Sequence, residues 1–465
     1  MDIGKHTDLV DTTTGQKVPF EVLRSGSGFD HIQFLATAVP AVGYKVYRTQ
    51  PAASPAASPA LEHSLTMENS FYRITLDPAT GAVKSIFDKQ LQRELVNGDS
   101  PYRFGQYLYV TGGDKGPNTL LQYSHVYPKA RLVVHPAEAG SLVSVSRTPY
   151  GWVARMRSSD VNTPEIDTQI RLFDAAKKIE FVEDIQKKNV ETKEGVYFAF
   201  PFAMSHPEFQ YEVQNGAVNP AKDMYAGAGH EWFSVQHWIA LQQNGFSAAV
   251  LPLDAALATL GDINRGAWPE QFGDRPGNVF SYIMNNYWDT NYRAGQGGRF
   301  RFHYIVTSAS AIHASALSRL GWEEITPLET DTVTTQDKAL TSSEEKEPGS
   351  KLAAEMIANS GAACILDPHQ DSFLDASDPN LLFDTWKPAE DGDGAILRFL
   401  DLGGEERTVS VRLPSLHLKA AWQTNAVEKN QQQLTLSGDN GFRLAVHPHA
   451  IVSVRIIGSG MCRMR

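Results

Sequence analysis

Apolar and polar residues alternate with a period of two along most of this chain, beginning at Phe71-Tyr72-Arg73-Ile74-Thr75-Leu76. The turn Asp77-Pro78-Ala79-Thr80-Gly81 follows, and Ala82-Val83-Lys84-Ser85-Ile86-Phe87 then repeats the alternation. The segment reads as strand, turn, strand, because side chains of an extended chain point to opposite faces in turn while Pro and Gly punctuate. The same grammar recurs at Arg131–Val134, Leu142–Val145, Gln169–Phe173, Ile179–Ile185, Val196–Phe200, Ser247–Leu251, Phe300–Val306, Ile396–Leu400, Val409–Leu413 and Ile451–Ile456. Helical spacing is confined to a few places, such as Ala311–Leu320 and Lys351–Ala358. The pattern predicts an all-β, antiparallel chain.

Two stretches interrupt it. Thr49–Ala60 is a Pro/Ala/Ser repeat with the character of an extended spacer, and Asp331–Ser350 is polar, charged and poor in aromatics. They divide the chain into a partial small β domain at 1–50, a linker at 51–62, a large body at 63–325, a linker at 326–350 and a C-terminal small β-sandwich at 351–465. A body of roughly 260 residues with this many strands suits a large two-sheet β-supersandwich better than an immunoglobulin-sized sandwich.

Composition narrows the chemistry. The formal charge of −11 argues against a polyanionic partner, so nucleic acid is not expected. The two cysteines, Cys364 and Cys462, form no CxxC or Cys/His cluster, which argues against a thiolate zinc site or a disulfide framework. The opening residues carry no basic and apolar signal-peptide pattern, and no apolar run reaches the roughly 18 residues that would span a bilayer, so a cytoplasmic location and no membrane are expected. Neither a GxSxG elbow nor a P-loop occurs, and Gly295-Gln296-Gly297-Gly298 reads as a turn between strands.

The densest chemistry lies in FSYIMNNYWDTNYRAGQGGRFRFHYIVT, from Phe280 to Thr307. Amides and carboxylates fork onto vicinal hydroxyls and aromatic rings cover apolar sugar faces, so Asn286, Trp288, Asp289, Asn291 and Tyr292 are candidate carbohydrate contacts. The alternative is an interface or buried-loop cluster whose amides satisfy backbone groups. A second set, His230, Glu231, Trp232, His237 and Trp238, offers either acid–base chemistry of the sugar-mutarotase kind or strand residues packed on a neighbouring domain.

Several segments together resemble the C-terminal half of glycoside hydrolase family 38, the retaining α-mannosidases. Glu68-Asn69-Ser70-Phe71-Tyr72-Arg73-Ile74, Thr80-Gly81, Ser85-Ile86-Phe87-Asp88-Lys89 and Arg93-Glu94-Leu95 look like the opening hairpin of that half. Glu194 to Phe202, His230 to Trp238 and the MNNYWDTNY segment follow in the order expected there, and Trp386 to Gly394, Leu397-Arg398-Phe399 and Ile451–Ile456 resemble its terminal small sandwich. Val10-Asp11, Thr14-Gly15, Val18-Pro19 and Val39 to Tyr44 look like the second half of a small β domain between barrel and sandwich, as if the chain began in mid-domain.

The resemblance implies a galactose-mutarotase-like supersandwich flanked by small β-sandwiches, with α-mannoside glycans as substrates of the whole enzyme. In that family the two catalytic carboxylates and a zinc ion held by two His and two Asp come from an N-terminal α/β barrel. None of that barrel is recognisable here, so no catalytic residue, metal ligand or cofactor is assigned to this chain. The triplet His369-Gln370-Asp371 reads as surface loop. The resemblance offers Arg265 as the counterpart of an arginine that reaches the sugar site, while a turn arginine paired with Asp262 or Asp274 is the other reading. The expectation is a half-enzyme without turnover alone, partnered by a catalytic barrel in cis or in trans, with exposed apolar area or strand edges favouring oligomers. A stand-alone carbohydrate-binding protein and a mutarotase-like aldose epimerase using His237 and Glu231 are the alternatives.

Overall fold

The structure, a computed structural model, describes residues 1–52, 60–62, 64–112, 132–263, 269–286, 295–331 and 367–459. The chain is all-β and its strands pair antiparallel throughout these residues. It forms two compact units, Pro59–Thr326 and a second made of Met1–Ser58 with Pro327–Arg465.

The larger unit is built on two sheets. Its ten-stranded sheet runs, in spatial order, Gly216–Val218, Glu208–Val213, Ile239–Gln243, Phe246–Pro252, Gly298–Ala309, Ile179–Lys187, Thr163–Phe173, Gly151–Asp160, Glu138–Thr148 and Ala60–Glu62. The six-stranded sheet runs Leu132–Pro136, Gln106–Gly112, Gly195–Pro201, Asn278–Asn285, Leu257–Leu260 and Phe233–Ser234. Period-two alternation decides which residues enter the space between them. Ile166, Ile170 and Leu172 from one strand and Ile179, Phe181 and Ile185 from the next share a core with Phe104, Phe198, Phe200, Phe202 and Tyr304. Rings there meet edge to face, as Phe104 and Phe202 do at 5.0 Å, the arrangement their quadrupoles favour.

Gly195–Pro201 and Phe246–Pro252 are buried along their whole length, so both of their faces are covered. The second face of Phe246–Pro252 lies under the helix Ala314–Ile325, where Leu317 packs on Trp238, Ala249, Leu251 and Ile305. That helix begins three residues later than the spacing at Ala311–Leu320 predicts and runs on to Ile325. Lys351–Ala358 lies outside the described residues. No helix among the described residues is long and apolar enough to cross a membrane.

The opening hairpin, Tyr72–Asp77 with Ala82–Asp88, is tied to the large sheet by a buried polar chain. Asp88 accepts hydrogen bonds from Ser308 Oγ at 2.6 Å and from the N–H groups of Gln90 and Leu91 at 2.9 Å, and pairs with Lys177 at 2.8 Å. Asn69 Oδ1 caps the strand start by accepting the N–H groups of Phe71 and Tyr72, and Asn69 Nδ2 donates to Phe173 O. Glu94 accepts Ser85 Oγ and the N–H groups of Ile86 and Val96. The motif residues of this hairpin therefore act as fasteners.

In the other unit a five-stranded sheet (Leu381–Pro388, Ala395–Asp401, Ile451–Ser459, His417–Thr424, Asn430–Gln433) and a three-stranded sheet (Asp375–Ala376, Arg407–Arg412, Gly441–Val446) enclose Leu397, Phe399, Val409, Val411, Phe442, Leu444 and Val454. The turn Ala389–Gly394 is held by Arg455, which donates to Asp391 Oδ1 and Asp393 O, each at 2.7 Å, and to Glu428 O at 2.9 Å. The first residues of the chain join this unit through Gly43–Lys45, which pairs with Gln370–Ser372.

Candidate functional site

The strand Asn278–Asn285 carries the first half of the polar–aromatic segment and sits inside the six-stranded sheet. Its pairing fixes where the candidate residues leave the sheet. Gly195 pairs with Asn285 at one end, where Asn286 follows. At the other end Leu260 pairs with Val279 and the Gly261 N–H donates to Asn278 O, so the stretch leading to Arg265 departs there. At roughly 3.3 Å per residue the two exits are about 25 Å apart along the strand. Arg265, Trp288, Asp289, Asn291 and Tyr292 themselves lie outside the described residues.

Asn286 is buried, and its amide is committed to the backbone. Its Oδ1 accepts the Glu194 N–H at 2.5 Å, and its Nδ2 donates to Thr192 O at 2.7 Å and Val190 O at 3.2 Å. The Asn286 N–H in turn donates to Glu194 O at 3.1 Å. The side chain thus clasps 190–194 onto the end of the strand. Behind it, the Glu194 carboxylate meets Lys187 Nζ at 2.5 Å, with both side chains at most 3% exposed. Lys187 also donates to Lys188 O at 2.9 Å and lies 5.9 Å from the Tyr109 ring centroid. Burial, together with the Glu194 carboxylate, pushes the Tyr109 hydroxyl up to about 12, and it accepts Asn162 Nδ2 at 2.9 Å. This end of the sheet is a rigid polar frame from which the rest of the segment departs.

Arg275, which no sequence motif marked, organises the opposite end. Its Nε donates to Phe272 O at 2.7 Å, Nη1 to Leu260 O at 2.9 Å and Nη2 to His230 O at 3.2 Å, while the guanidinium lies 4.2 Å from the Phe272 ring centroid. His230 is buried beside it; burial, and then the Arg275 charge, lower its pKa. Glu231 is also buried and Trp232 half-buried. Asp274 pairs with His206 at 2.6 Å.

His237 is enclosed. Its Nδ1 lies 2.7 Å from the Glu212 carboxylate, its ring meets Trp322 edge-on at 5.0 Å, and Trp238 Nε1 donates to Ser318 Oγ at 3.0 Å. Gly321 leaves the room for this: a Cβ there would stand 2.5 Å from His237 Cβ. His369 and Asp371 sit at the Gln370–Ser372 pairing with Gly43–Lys45. The Asp371 carboxylate accepts the N–H groups of Ser372 at 2.8 Å and Asp367 at 3.4 Å, a backbone commitment that does not suit a zinc ligand.

Comparison with known proteins bears on what this frame belongs to. Residues 67–256 match the sequence model of the Glycosyl hydrolases family 38 C-terminal domain, and residues 380–454 match that of the Glycosyl hydrolases family 38 C-terminal beta sandwich domain. No curated protein matches significantly. Among solved structures, an alpha-mannosidase from Enterococcus faecalis V583 is 11% identical and aligns with 97% of this chain and 51% of its own, at a TM-score of 0.59. A protein in the Glycosyl Hydrolase Family 38 from Enterococcus faecalis is 11% identical over 97% of this chain and 53% of its own, at a TM-score of 0.61. A galactose mutarotase-like protein from Lactobacillus casei ATCC 334, 11% identical, covers 54% of this chain with 100% of its own at a TM-score of 0.32. This chain spans about half the length of the two Enterococcus structures, which it resembles in fold.

Proposed function

From the premise that this chain belongs to glycosyl hydrolase family 38, whose C-terminal domains it carries, we propose that it serves as the carbohydrate-associated, non-catalytic half of a zinc-dependent retaining α-mannosidase. The observation that carries this reading is the succession of both family domains, in order, on one chain. The rest of the machinery would come from a catalytic α/β barrel, in cis or in trans. Retaining hydrolysis needs a nucleophile and an acid/base carboxylate roughly 5–5.5 Å apart. Zinc, when bound in that barrel, orients sugar hydroxyls and polarises the reacting centre.

In this reading the two exits of the six-stranded sheet present residues to the rim of the barrel's sugar site. Arg265 stands at one, and Trp288, Asp289, Asn291 and Tyr292 at the other, with Asn286 as the clasp behind them. The enclosure of His237 by Glu212 and Trp322 weighs against an epimerase that would need its imidazole at a substrate. The test is hydrolysis of an aryl α-mannoside by this chain alone, with added zinc and again with a chelator. No turnover alone, and turnover once a family 38 barrel is supplied, is the expected outcome. Chelator-sensitive hydrolysis by these residues alone would overturn it.

A further inference from the structure

A cavity of about 340 Å³ opens where the chain crosses from one large sheet to the other, between the strand end Val134-His135-Pro136, the start of Glu138–Thr148 and Ser159-Asp160. Ala137 makes the crossing, fully buried, with its N–H donating to Tyr107 O. The wall is shaped by a β-bulge: the pairing register slips between Glu138 and Ser141, and Ala139 takes a left-handed φ of 56°. Gly140 is obligatory beside it, because a Cβ there would stand 2.2 Å from Pro78 O. Bulges of this kind re-aim side chains. Here one lies in the cavity wall.

The lining is rich in acceptors and poor in donors. Glu138 and Asp160 bring carboxylates, and no Lys or Arg of the described residues lines the cavity. Asp160 Oδ1 accepts the Val161 N–H at 2.6 Å, while its Oδ2 is buried without a hydrogen-bond partner. Such an oxygen lacks a donor it would have in water, a deficit of about 1–3 kcal/mol. Val134, Pro136 and the His135 ring, which lies 6.1 Å from the Tyr109 ring, supply apolar and aromatic surface beside the carboxylates. The volume falls within the range of small-molecule sites, roughly 300–1,000 Å³.

We infer that this cavity is a binding site for a small organic ammonium compound of amino-sugar size, whose charged nitrogen meets Asp160 Oδ2 and the Glu138 carboxylate. A cation supplies both the missing donor and the missing counter-charge, whereas a neutral polyol supplies only the donor. The site is distinct from both exits discussed above and draws on neither Asn286 nor Arg265. Asp160 faces Glu138, Tyr109 and His135, with Glu194 behind Tyr109. Burial first, and the Glu138 charge as a smaller contribution, push Asp160 up to about 7. Occupancy by a permanently charged amine should therefore rise through neutral pH, roughly tenfold between pH 6 and pH 8.

The test uses the full chain with glucamine, a polyol whose alkylammonium stays charged over that range, and with glucitol, its neutral counterpart, followed by ligand-observed NMR and calorimetry. Saturable glucamine binding, about tenfold weaker at pH 6 and in Asp160→Asn, with no saturation by glucitol, is the expected result. Glu138→Gln alters an exposed residue and should weaken binding severalfold at an unchanged melting temperature, which guards against a folding artefact at Asp160. Equal binding of glucitol, a flat pH profile, unaltered affinity in both variants or no saturation by glucamine would each overturn the inference.

Discussion

A carboxylate turned into an apolar core sheds its charge, and Glu183 is in that position. It faces the space between the sheets with Phe181 and Ile185, is 1% exposed, and accepts Thr168 Oγ1 at 2.6 Å while its second oxygen has no partner. Burial holds its pKa well above the usual carboxylate range. A folded-state pKa raised above the unfolded value means that stability is full below about 4.5 and declines as pH rises toward the folded value. Urea unfolding of Glu183→Gln against the parent at pH 5, 7 and 9 should show the variant gaining ground with pH, by at most about 1.4 kcal/mol per unit. A difference independent of pH would place the charge elsewhere. The strand Ile179–Ile185 was legible from its alternation, and Glu183 shares the inward parity of Ile179, Phe181 and Ile185. Its neutrality was not legible, because desolvation depends on Phe198, Phe200 and Tyr304 arriving from distant strands.

Among the elements, the strand Asn278–Asn285 shows how far a motif can be read. Its alternation and the amide-rich exit are visible in the sequence, and so is the importance of Asn286. The role of that residue is set by Val190, Thr192 and Glu194, nearly a hundred positions earlier, which no local pattern announces. Asn286→Ala should cost about 2–3 kcal/mol by stranding the buried Glu194 N–H and two carbonyls, measured as a lowered denaturation midpoint with the slope unchanged. A loss below about 0.5 kcal/mol would show that water replaces the clasp. The cavity beside Asp160 went unread for a related reason: three strands contribute one or two residues each. The one local signal was Gly140 inside a strand pattern, which marks a bulge without saying what the bulge faces.

At the scale of the whole molecule, the larger unit holds its core within one continuous stretch, from Met67 to Val306. A fragment spanning Pro59–Thr326 should therefore fold by itself with a single cooperative transition by circular dichroism and tryptophan fluorescence. Non-coincident transitions would mean that its core depends on the remainder. The all-β class and the order of the family segments were readable along the sequence because they rest on period-two alternation and on short turns. The union of the first and last stretches in one unit was less visible, since Gly43–Lys45 and Gln370–Ser372 carry no signal of pairing with each other.

That pairing has a consequence for how the protein is made. Tyr44 donates its hydroxyl to Asp367 O across 323 positions of sequence. A ribosome adding about 5–20 residues per second needs roughly 16–65 s to synthesise that interval. For that time the first strands wait with an unpaired edge while the larger unit emerges and folds. The opening residues of this chain are thus a nascent-chain hazard whose relief arrives last, and synthesis speed, as much as final stability, sets how much of the protein escapes aggregation.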